Sequence, residues 1–199
     1  MQVKNIPLYD VRPIQSIKDM LLSSVELYSD KAAFLSKDKA THKYVPISYR
    51  KYKDDVDAFG TALISLGLKG ERIVIIGENR YEWSVSYMSV VNGTGIVVPL
   101  DRELPQNEIE NLFKRSNATA VIYSGNLKEN ILKALPAIST VRYFINMDAA
   151  VSSDNVISFS QLLLRGYELL KEGDTGFTDA KIDPEALSIL LFTSGTTEL

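Results

Sequence analysis

The sequence predicts an α/β fold in which a largely parallel sheet is flanked by helices. Short apolar runs alternate with helical patterns and begin about 23 residues apart, the length of one strand, one helix and two short loops. Crossover connections of this kind join parallel strands, and consecutive apolar residues indicate strands covered on both faces. The runs are RIVIIG (72–77), GIVVPL (95–100), ATAVIYS (118–124) and VRYFINM (141–147).

A helix is predicted before the first of these strands, within ISYRKYKDDVDAFGTALISLGLKG (47–70). Ser48 is a candidate cap at its start, and Gly67 is a candidate stop. Residues at helical spacing form one apolar and aromatic stripe, which predicts that the helix packs against the sheet. The residues of the stripe are Tyr52, Val56, Phe59, Leu63 and Leu66.

Two more helices are predicted between successive strands. NRYEWSVSYMSVVNG (79–93) opens with Asn79 and Glu82, a candidate capping box. PQNEIENLFKRS (105–116) places Pro105 at the expected first helical position. The apolar faces of the two helices comprise Trp83, Tyr87, Val90 and Val91 in the first, and Ile109, Leu112 and Phe113 in the second.

The last part of the chain continues the same alternation. A polar loop (149–156), a helical segment (160–173) and a loop rich in Gly, Asp and Thr (173–184) follow the fourth run. ALSILLF (186–192) then predicts a fifth buried strand.

Composition bounds the possible functions. With 199 residues, 45% of them hydrophobic and 24% charged, the chain is long enough for one globular domain or most of one. The net charge is −3 without long runs of Lys or Arg, so we expect no nucleic-acid partner. Cysteine is absent, which excludes disulfides and thiol nucleophiles. The sequence shows neither a signal peptide nor an integral membrane segment, and we expect a cytoplasmic location.

The hydroxyl-rich segment after the predicted fifth strand is the candidate ligand site. It leaves the carboxyl end of a strand, where open parallel sheets place their ligands. Small residues there can aim backbone N–H groups and hydroxyls at a phosphate, and glycine lets the backbone approach closely. A simple surface turn is the alternative explanation. The segment consists of Thr193, Ser194, Gly195, Thr196 and Thr197.

Two stretches of the chain resemble one known family. LLFTSGTT (190–197) resembles the phosphate-loop signature F/Y-T-S-G-T-T-G-x-P-K of the AMP-forming adenylating enzymes, and residues 76–124 are similar to bacterial long-chain fatty acid–CoA ligases. The resemblance covers roughly residues 16–197, and the joint occurrence of both stretches is more specific than either motif. It implies that Thr193, Ser194, Gly195, Thr196 and Thr197 hold the β- and γ-phosphates of ATP.

The resemblance also implies a domain and a reaction. Residues 1–199 would be the amino-terminal part of an adenylation domain, ending inside the phosphate-loop motif. The whole enzyme would use ATP, Mg²⁺ and CoA to convert a fatty acid into its thioester, with its catalytic residues and metal ligands outside this chain. We therefore expect the fragment alone to be inactive and to self-associate through its truncated face. Glu198 departs from the family pattern, which has glycine there.

Two alternatives to a fatty acid–CoA ligase remain open. One is an adenylation domain of the nonribosomal-peptide type, which loads an amino or aryl acid onto a carrier protein. The other is a nucleotide-binding module without catalytic activity. The residues Glu78, Asn79 and Arg80, after the first strand, could line a cleft, although capping and local ion pairing are the favoured explanation.

Overall fold

The computed structural model describes residues 11–38, 41–134, 139–153 and 155–193. The strands in these ranges are β1 (Ala32–Lys37), β2 (Tyr44–Ser48), β3 (Arg72–Ile76), β4 (Ile96–Leu100), β5 (Ala120–Tyr123), β6 (Tyr143–Asn146) and β7 (Ile157–Ser158). The α-helices are α1 (Ile17–Tyr28), α2 (Tyr49–Ser65), α3 (Tyr81–Ser89), α4 (Gln106–Ser116), α5 (Lys128–Ala134) and α6 (Phe159–Lys171). A π-helical turn, Val90–Thr94, joins α3 to β4.

The central sheet has five parallel strands in the order β4-β3-β5-β6-β7. Strands β1 and β2 form a separate antiparallel hairpin. All four predicted strands are confirmed as β3 to β6, and the α/β class with a parallel sheet is confirmed with them. If the five strands are numbered in chain order, the sheet reads 2-1-3-4-5, one of the two common doubly wound arrangements.

Side chains of the central strands alternate between two hydrophobic cores. From β3, Ile73 and Ile75 join the core that contains residues of α2, α3 and α6, whereas Val74 and Ile76 join the core on the opposite face, beneath α4 and α5. All four side chains are fully buried. Burying such side chains stabilises the fold by about 1.5–3 kcal/mol each, so the two cores hold the helices on both faces as expected.

Helix ends agree with the sequence at α2 and differ at α3 and α4. The Ser48 side chain accepts a hydrogen bond from the backbone N–H of Lys51 at 3.1 Å, and Gly67 has a positive φ of 77° just after the helix. The predicted capping box at α3 is wrong. Arg80 occupies the cap position in place of Asn79. Its guanidinium donates to the Glu82 carboxylate at 2.7 Å, so that carboxylate does not bond to the backbone N–H of the cap residue. Pro105 precedes the first helical residue of α4 instead of occupying that position.

The predicted fifth buried strand, 186–192, is also wrong. Ile189 forms one isolated parallel bridge with Val97 of β4, through Val97 N–H to Ser188 O and Leu190 N–H to Val97 O, each 2.9 Å. Two residues later on the same edge of β4, Pro99 has no N–H to donate. Two residues before Val97, the Gly95 N–H donates to Val90 O instead. Because a single residue of β4 donates to this segment, a regular ladder cannot form.

Helices α2, α3 and α6 are joined at a buried carboxylate. Asp55, 2% exposed, accepts hydrogen bonds from the Tyr167 hydroxyl at 2.6 Å, the Tyr81 hydroxyl at 2.7 Å and the Lys51 ammonium at 2.5 Å. Burial, followed by the bond to Asp55, raises the pKa values of Tyr81 and Tyr167, so both hydroxyls stay protonated as donors. Three donors on one buried carboxylate offset the cost of removing it from water.

We predict that Tyr167→Phe lowers the free energy of unfolding by about 1.5–3 kcal/mol, because it leaves a buried carboxylate with one donor fewer. Urea denaturation followed by circular dichroism measures this difference. Tyr44→Phe is the matched control, since Tyr44 is 67% exposed. Equal stabilities of the two variants would show that the Asp55 contacts contribute little.

Candidate functional site

The carboxyl edge of the parallel sheet is the candidate functional site. From β3 the chain passes to β4 on one side of β3, and then returns to β5, β6 and β7 on its other side. The direction in which strands are added therefore reverses between β3 and β5. Ligands of open α/β sheets bind outside the carboxyl ends of the strands at this kind of switch point. The loops that follow β3 and β5 at this point are Gly77–Arg80 and Ser124–Leu127.

The two loops at the switch point are in direct contact. A methyl group placed on Gly77 would lie 2.9 Å from the Ser124 hydroxyl oxygen, so the absence of a side chain at Gly77 lets the two loops approach closely. Ser124 also donates its backbone N–H to Ile76 O at 3.2 Å. The floor of the switch point is therefore closed by protein, and a ligand would bind above it, at the level of the loop side chains.

Glu78 lies at the centre of a polar network above this floor. The Asn126 side-chain amide donates to the Glu78 carboxylate, the Ser124 hydroxyl donates to Asn126 Oδ1 at 2.8 Å, and the Arg102 guanidinium lies 3.7 Å from Glu78. Burial acts to raise the pKa of Glu78. Hydrogen bonds from Ser124, its own backbone and Asn126, together with the charge of Arg102, outweigh that effect and lower the pKa.

A second network joins the loops after β3, β5 and β6. Arg80 donates from one guanidinium nitrogen to both oxygens of Asp148, at 2.8 and 2.9 Å. Asp148 also accepts the Gly125 backbone N–H at 2.8 Å, and the Asn146 side chain accepts the Asp148 N–H at 2.7 Å. Three loops from three strands thus share one ion pair, which fixes the rim of the site.

A cavity of about 370 Å³ opens between the ends of β3 and β4. Its lining comprises Gly77, Asn79, Trp83, Leu100, Asp101 and Arg102. The Trp83 ring stacks on Tyr87 with centroids 5.3 Å apart, which holds the aromatic wall in place. The lining contributes both signs of charge, from Arg102 and Asp101, and Trp83 adds a flat apolar surface.

The segment that leads into the predicted phosphate loop runs along the outer side of β4. Ile189 packs on one hydrophobic core, while Leu190 and Phe192 pack on the other, so successive side chains alternate as in a strand. The Arg115 guanidinium lies 5.5 Å from the centre of the Phe192 ring. Because Ile189 pairs in parallel with Val97, the chain heads towards the carboxyl edge.

The structure places one of the five predicted phosphate-binding residues. Thr193 is exposed at the end of this edge segment. The remaining residues of the motif lie outside the described residues, so the phosphate loop stays a prediction; they are Ser194, Gly195, Thr196 and Thr197. Glu198, whose side chain departs from the family pattern, lies outside them as well.

Several site residues were missed by sequence reasoning. Glu78 and Arg80 were considered, but their partners Ser124, Asn126 and Asp148 were not. The signal was present, since polar residues follow the runs AVIY and YFIN in the same way that Glu78 follows RIVII. Applying the carboxyl-end rule to every strand would have found all three residues.

Two further properties concern metals and membranes. The His, Cys, Asp and Glu side chains in the described part of the chain form no group of three that could hold a metal ion. Among the described helices, none is both long and apolar enough to cross a bilayer.

We predict that Glu78→Gln destabilises the protein at pH 7 and that this difference shrinks as the pH falls. The folded-state pKa of Glu78 is lowered, so its contribution is present above the unfolded value of about 4.3 and is lost as pH falls through the folded value. Urea denaturation at pH 7, 5 and 3.5 tests this. Glu185→Gln, at an exposed position, is the control, and a pH-independent difference at Glu78 would contradict the network.

The chain is similar to known enzymes along nearly its whole length. Residues 22–197 match the sequence model of the AMP-binding enzyme family. Fatty acyl-CoA synthetase A from Dictyostelium discoideum is 31% identical over 204 residues, which cover 98% of this chain and 28% of that protein. A long-chain-fatty-acid–CoA ligase from Escherichia coli is 24% identical over 208 residues, which cover 92% of this chain and 35% of that protein.

Solved structures agree on the fold. The adenylation domain of a carboxylate reductase from Mycobacterium chelonae superposes with a TM-score of 0.74 at 17% identity, over 96% of this chain and 33% of that chain. At that identity the likeness shows the fold alone. The chain therefore spans about a third of the length of the relatives it matches. The match to the family's sequence model covers most of this chain's residues, so the chain belongs to the family of AMP-binding enzymes.

Proposed function

We propose that the protein containing this chain is an AMP-forming acid–thiol ligase that activates a fatty acid and transfers it to CoA. The observation that carries the proposal is the 31% identity to a fatty acyl-CoA synthetase over 98% of the chain. The match to the AMP-binding family includes the hydroxyl-rich residues up to Thr197, which supports a role for that loop in binding ATP.

The proposed reaction has two steps. An oxygen of the fatty acid carboxylate attacks the α-phosphorus of ATP, and the bond from that phosphorus to the bridging oxygen breaks, so pyrophosphate leaves with the electron pair. The CoA sulfur then attacks the acyl carbon of the adenylate, and AMP leaves as the thiol proton is lost. ATP, Mg²⁺ and CoA are the cofactors that this proposal requires. Mg²⁺ would offset the phosphate charge, and neither step needs a protein nucleophile.

Residues Thr193 to Thr197 are proposed to bind the β- and γ-phosphates. Thr193 is exposed at the end of a segment that runs parallel to β4, so the next residues continue from the edge where doubly wound sheets bind ligands. Hydroxyls and backbone N–H groups donate to phosphate oxygens without steric bulk. Charge-assisted bonds of this kind would strengthen as negative charge develops on the leaving pyrophosphate.

A fatty acid is proposed as the substrate because the relatives named above act on fatty acids, as their names state. Transfer to a carrier protein, as in nonribosomal-peptide systems, is the alternative for the second step. The two are separated by supplying CoA or a carrier protein to the preformed adenylate and identifying which thiol receives the acyl group. A binding module without catalysis would form no adenylate at all.

We predict that the double variant Thr196→Ala and Thr197→Ala lowers kcat/KM for adenylation by roughly two to four decades in the full-length protein. Each charge-assisted hydrogen bond lost is worth about 1.5–3 kcal/mol, and about 1.4 kcal/mol corresponds to a factor of ten. Exchange of labelled pyrophosphate into ATP, dependent on fatty acid and measured without CoA, isolates this step.

Thr175→Ala is the matched control, because Thr175 is an exposed threonine in the loop after α6. It should leave the exchange rate within about twofold, since its hydroxyl lies outside the proposed site. Unchanged exchange in the folded double variant would show that these threonines form a surface turn. Absence of exchange in the unaltered protein with every acid tested would overturn the proposed function.

A further inference from the structure

The side chain of Lys18 in α1 holds the loop that follows α6. Its ammonium donates to three main-chain carbonyls, those of Phe177 at 3.3 Å, Thr178 at 2.8 Å and Ala180 at 2.7 Å. An ammonium has three N–H donors, so these three carbonyls satisfy it completely. Burial lowers the pKa of Lys18, and the nearby carboxylates of Asp57 and Asp179 oppose that change. The loop thus forms a small cation site that the chain fills with its own side chain.

The same loop is fixed by an aromatic side chain beside this cation. Phe177 is 1% exposed and packs where two glycines leave space. A methyl group on Gly60 of α2 would lie 2.3 Å from the Phe177 ring, and one on Gly93 would lie 3.3 Å from it. Lys18 Nζ is 5.7 Å from the centre of the ring. The loop is therefore attached to α1, to α2 and to the turn before β4 at one place.

This attachment determines the length of free chain before the edge of the sheet. Beyond Ala180, the chain runs through mostly exposed residues to Ser188, where it meets Val97. With the attachment, the free connection extends from Lys181 to Leu187. Without it, the connection would extend from Glu172, the residue after α6, and be more than twice as long. Each doubling of the length of a flexible loop lowers the equilibrium constant for closing it by about threefold.

The segment beside β4, residues 186–193, depends on that connection because it makes few hydrogen bonds of its own. Val97 alone supplies both backbone bonds from β4, since Pro99 has no N–H and Gly95 bonds to Val90. Leu187 and Leu191 are 57% and 64% exposed, so half of its side chains add little burial. A segment held this weakly responds to a modest change in the chain that leads into it.

We propose that Lys18 is a positioning residue, whose ammonium, bound by three carbonyls, fixes the path of the chain that leads to Thr193, the first residue of the predicted phosphate loop. The link to ATP rests on the proposed function, whereas the attachment itself does not. Lys18 acts through the loop at Phe177–Ala180 and the bridge at Ile189.

Hydrogen exchange of the full-length protein tests the attachment. In Lys18→Met, the amides of Leu190 and Val97, within peptides covering 186–193 and 95–100, should exchange up to about threefold faster, while peptides covering 72–76 and 120–123 should not change. Lys31→Met is the control, because Lys31 is an exposed lysine that lies over the Tyr28 ring, 5.4 Å from its centre. Unchanged exchange at 186–193, or equal acceleration in all peptides, would overturn the proposal.

Chemical rescue tests whether the three carbonyls form a cation site. Lys18→Ala removes the ammonium, and ethylammonium should restore protection of 186–193 towards the unaltered level because it supplies the missing donors. Tetramethylammonium carries the same charge without an N–H, so it should not restore protection. Lys18→Arg should retain most of the protection. Equal effects of the two added cations would show that charge alone, and not the hydrogen bonds, is responsible.

Pyrophosphate exchange tests the link to ATP. Lys18→Met should raise the KM for ATP up to about threefold and leave the KM for the fatty acid unchanged, an asymmetry that general destabilisation would not produce. Faster hydrogen exchange at 186–193 with an unaltered KM for ATP would overturn the positioning role. If the unaltered protein shows no pyrophosphate exchange, the proposed function fails, while the hydrogen-exchange result still decides the attachment.

Discussion

Burial of both faces of the central sheet is the constraint on which the rest of this structure depends. Side chains of β3, β4, β5 and β6 alternate between two apolar cores, so neither face has room for polar groups that bind or react. Polar residues are consequently placed at the strand ends, where Glu78, Arg80, Asn126 and Asp148 form their networks. The carboxyl edge is the candidate site because open parallel sheets place their ligands there and these polar side chains meet there.

The outer side of β4 shows how a local property of the backbone affects a distant site. With Pro99 lacking an N–H and Gly95 committed to Val90, Val97 is the one donor that β4 offers to the segment at Ile189. Proline at such a position suits a sheet edge, since its missing N–H interrupts pairing. The chain that enters the predicted phosphate loop is therefore held mainly by contacts made elsewhere, in its own side-chain packing and in the loop near Phe177.

Periodicity in the sequence predicted the four central strands and the helices that cover them, because burial on both faces leaves an unambiguous apolar pattern in RIVII and AVIY. Periodicity failed for 186–192, because an apolar run does not show whether the neighbouring strand has N–H groups to donate to it. Pro99 in β4, which has no N–H, was the sequence signal that this pairing would be interrupted. The cap of α3 was missed because Arg80 competes for Glu82. Long-range pairs such as Arg80 with Asp148 depend on strand order, which local patterns do not encode.

Fold and substrate are separate questions in this family. The adenylation domain of a carboxylate reductase shares the fold at 17% identity, and a shared fold does not identify the substrate. In the proposed function the acid is activated by ATP, so the protein must supply hydrogen-bond donors to phosphate and needs no nucleophile of its own. In the proposed function that requirement falls on the hydroxyl-rich residues 193–197. The identity of the acid depends instead on the shape of the acyl pocket, and sequence similarity to fatty acyl-CoA synthetases is what directs the proposal to a fatty acid.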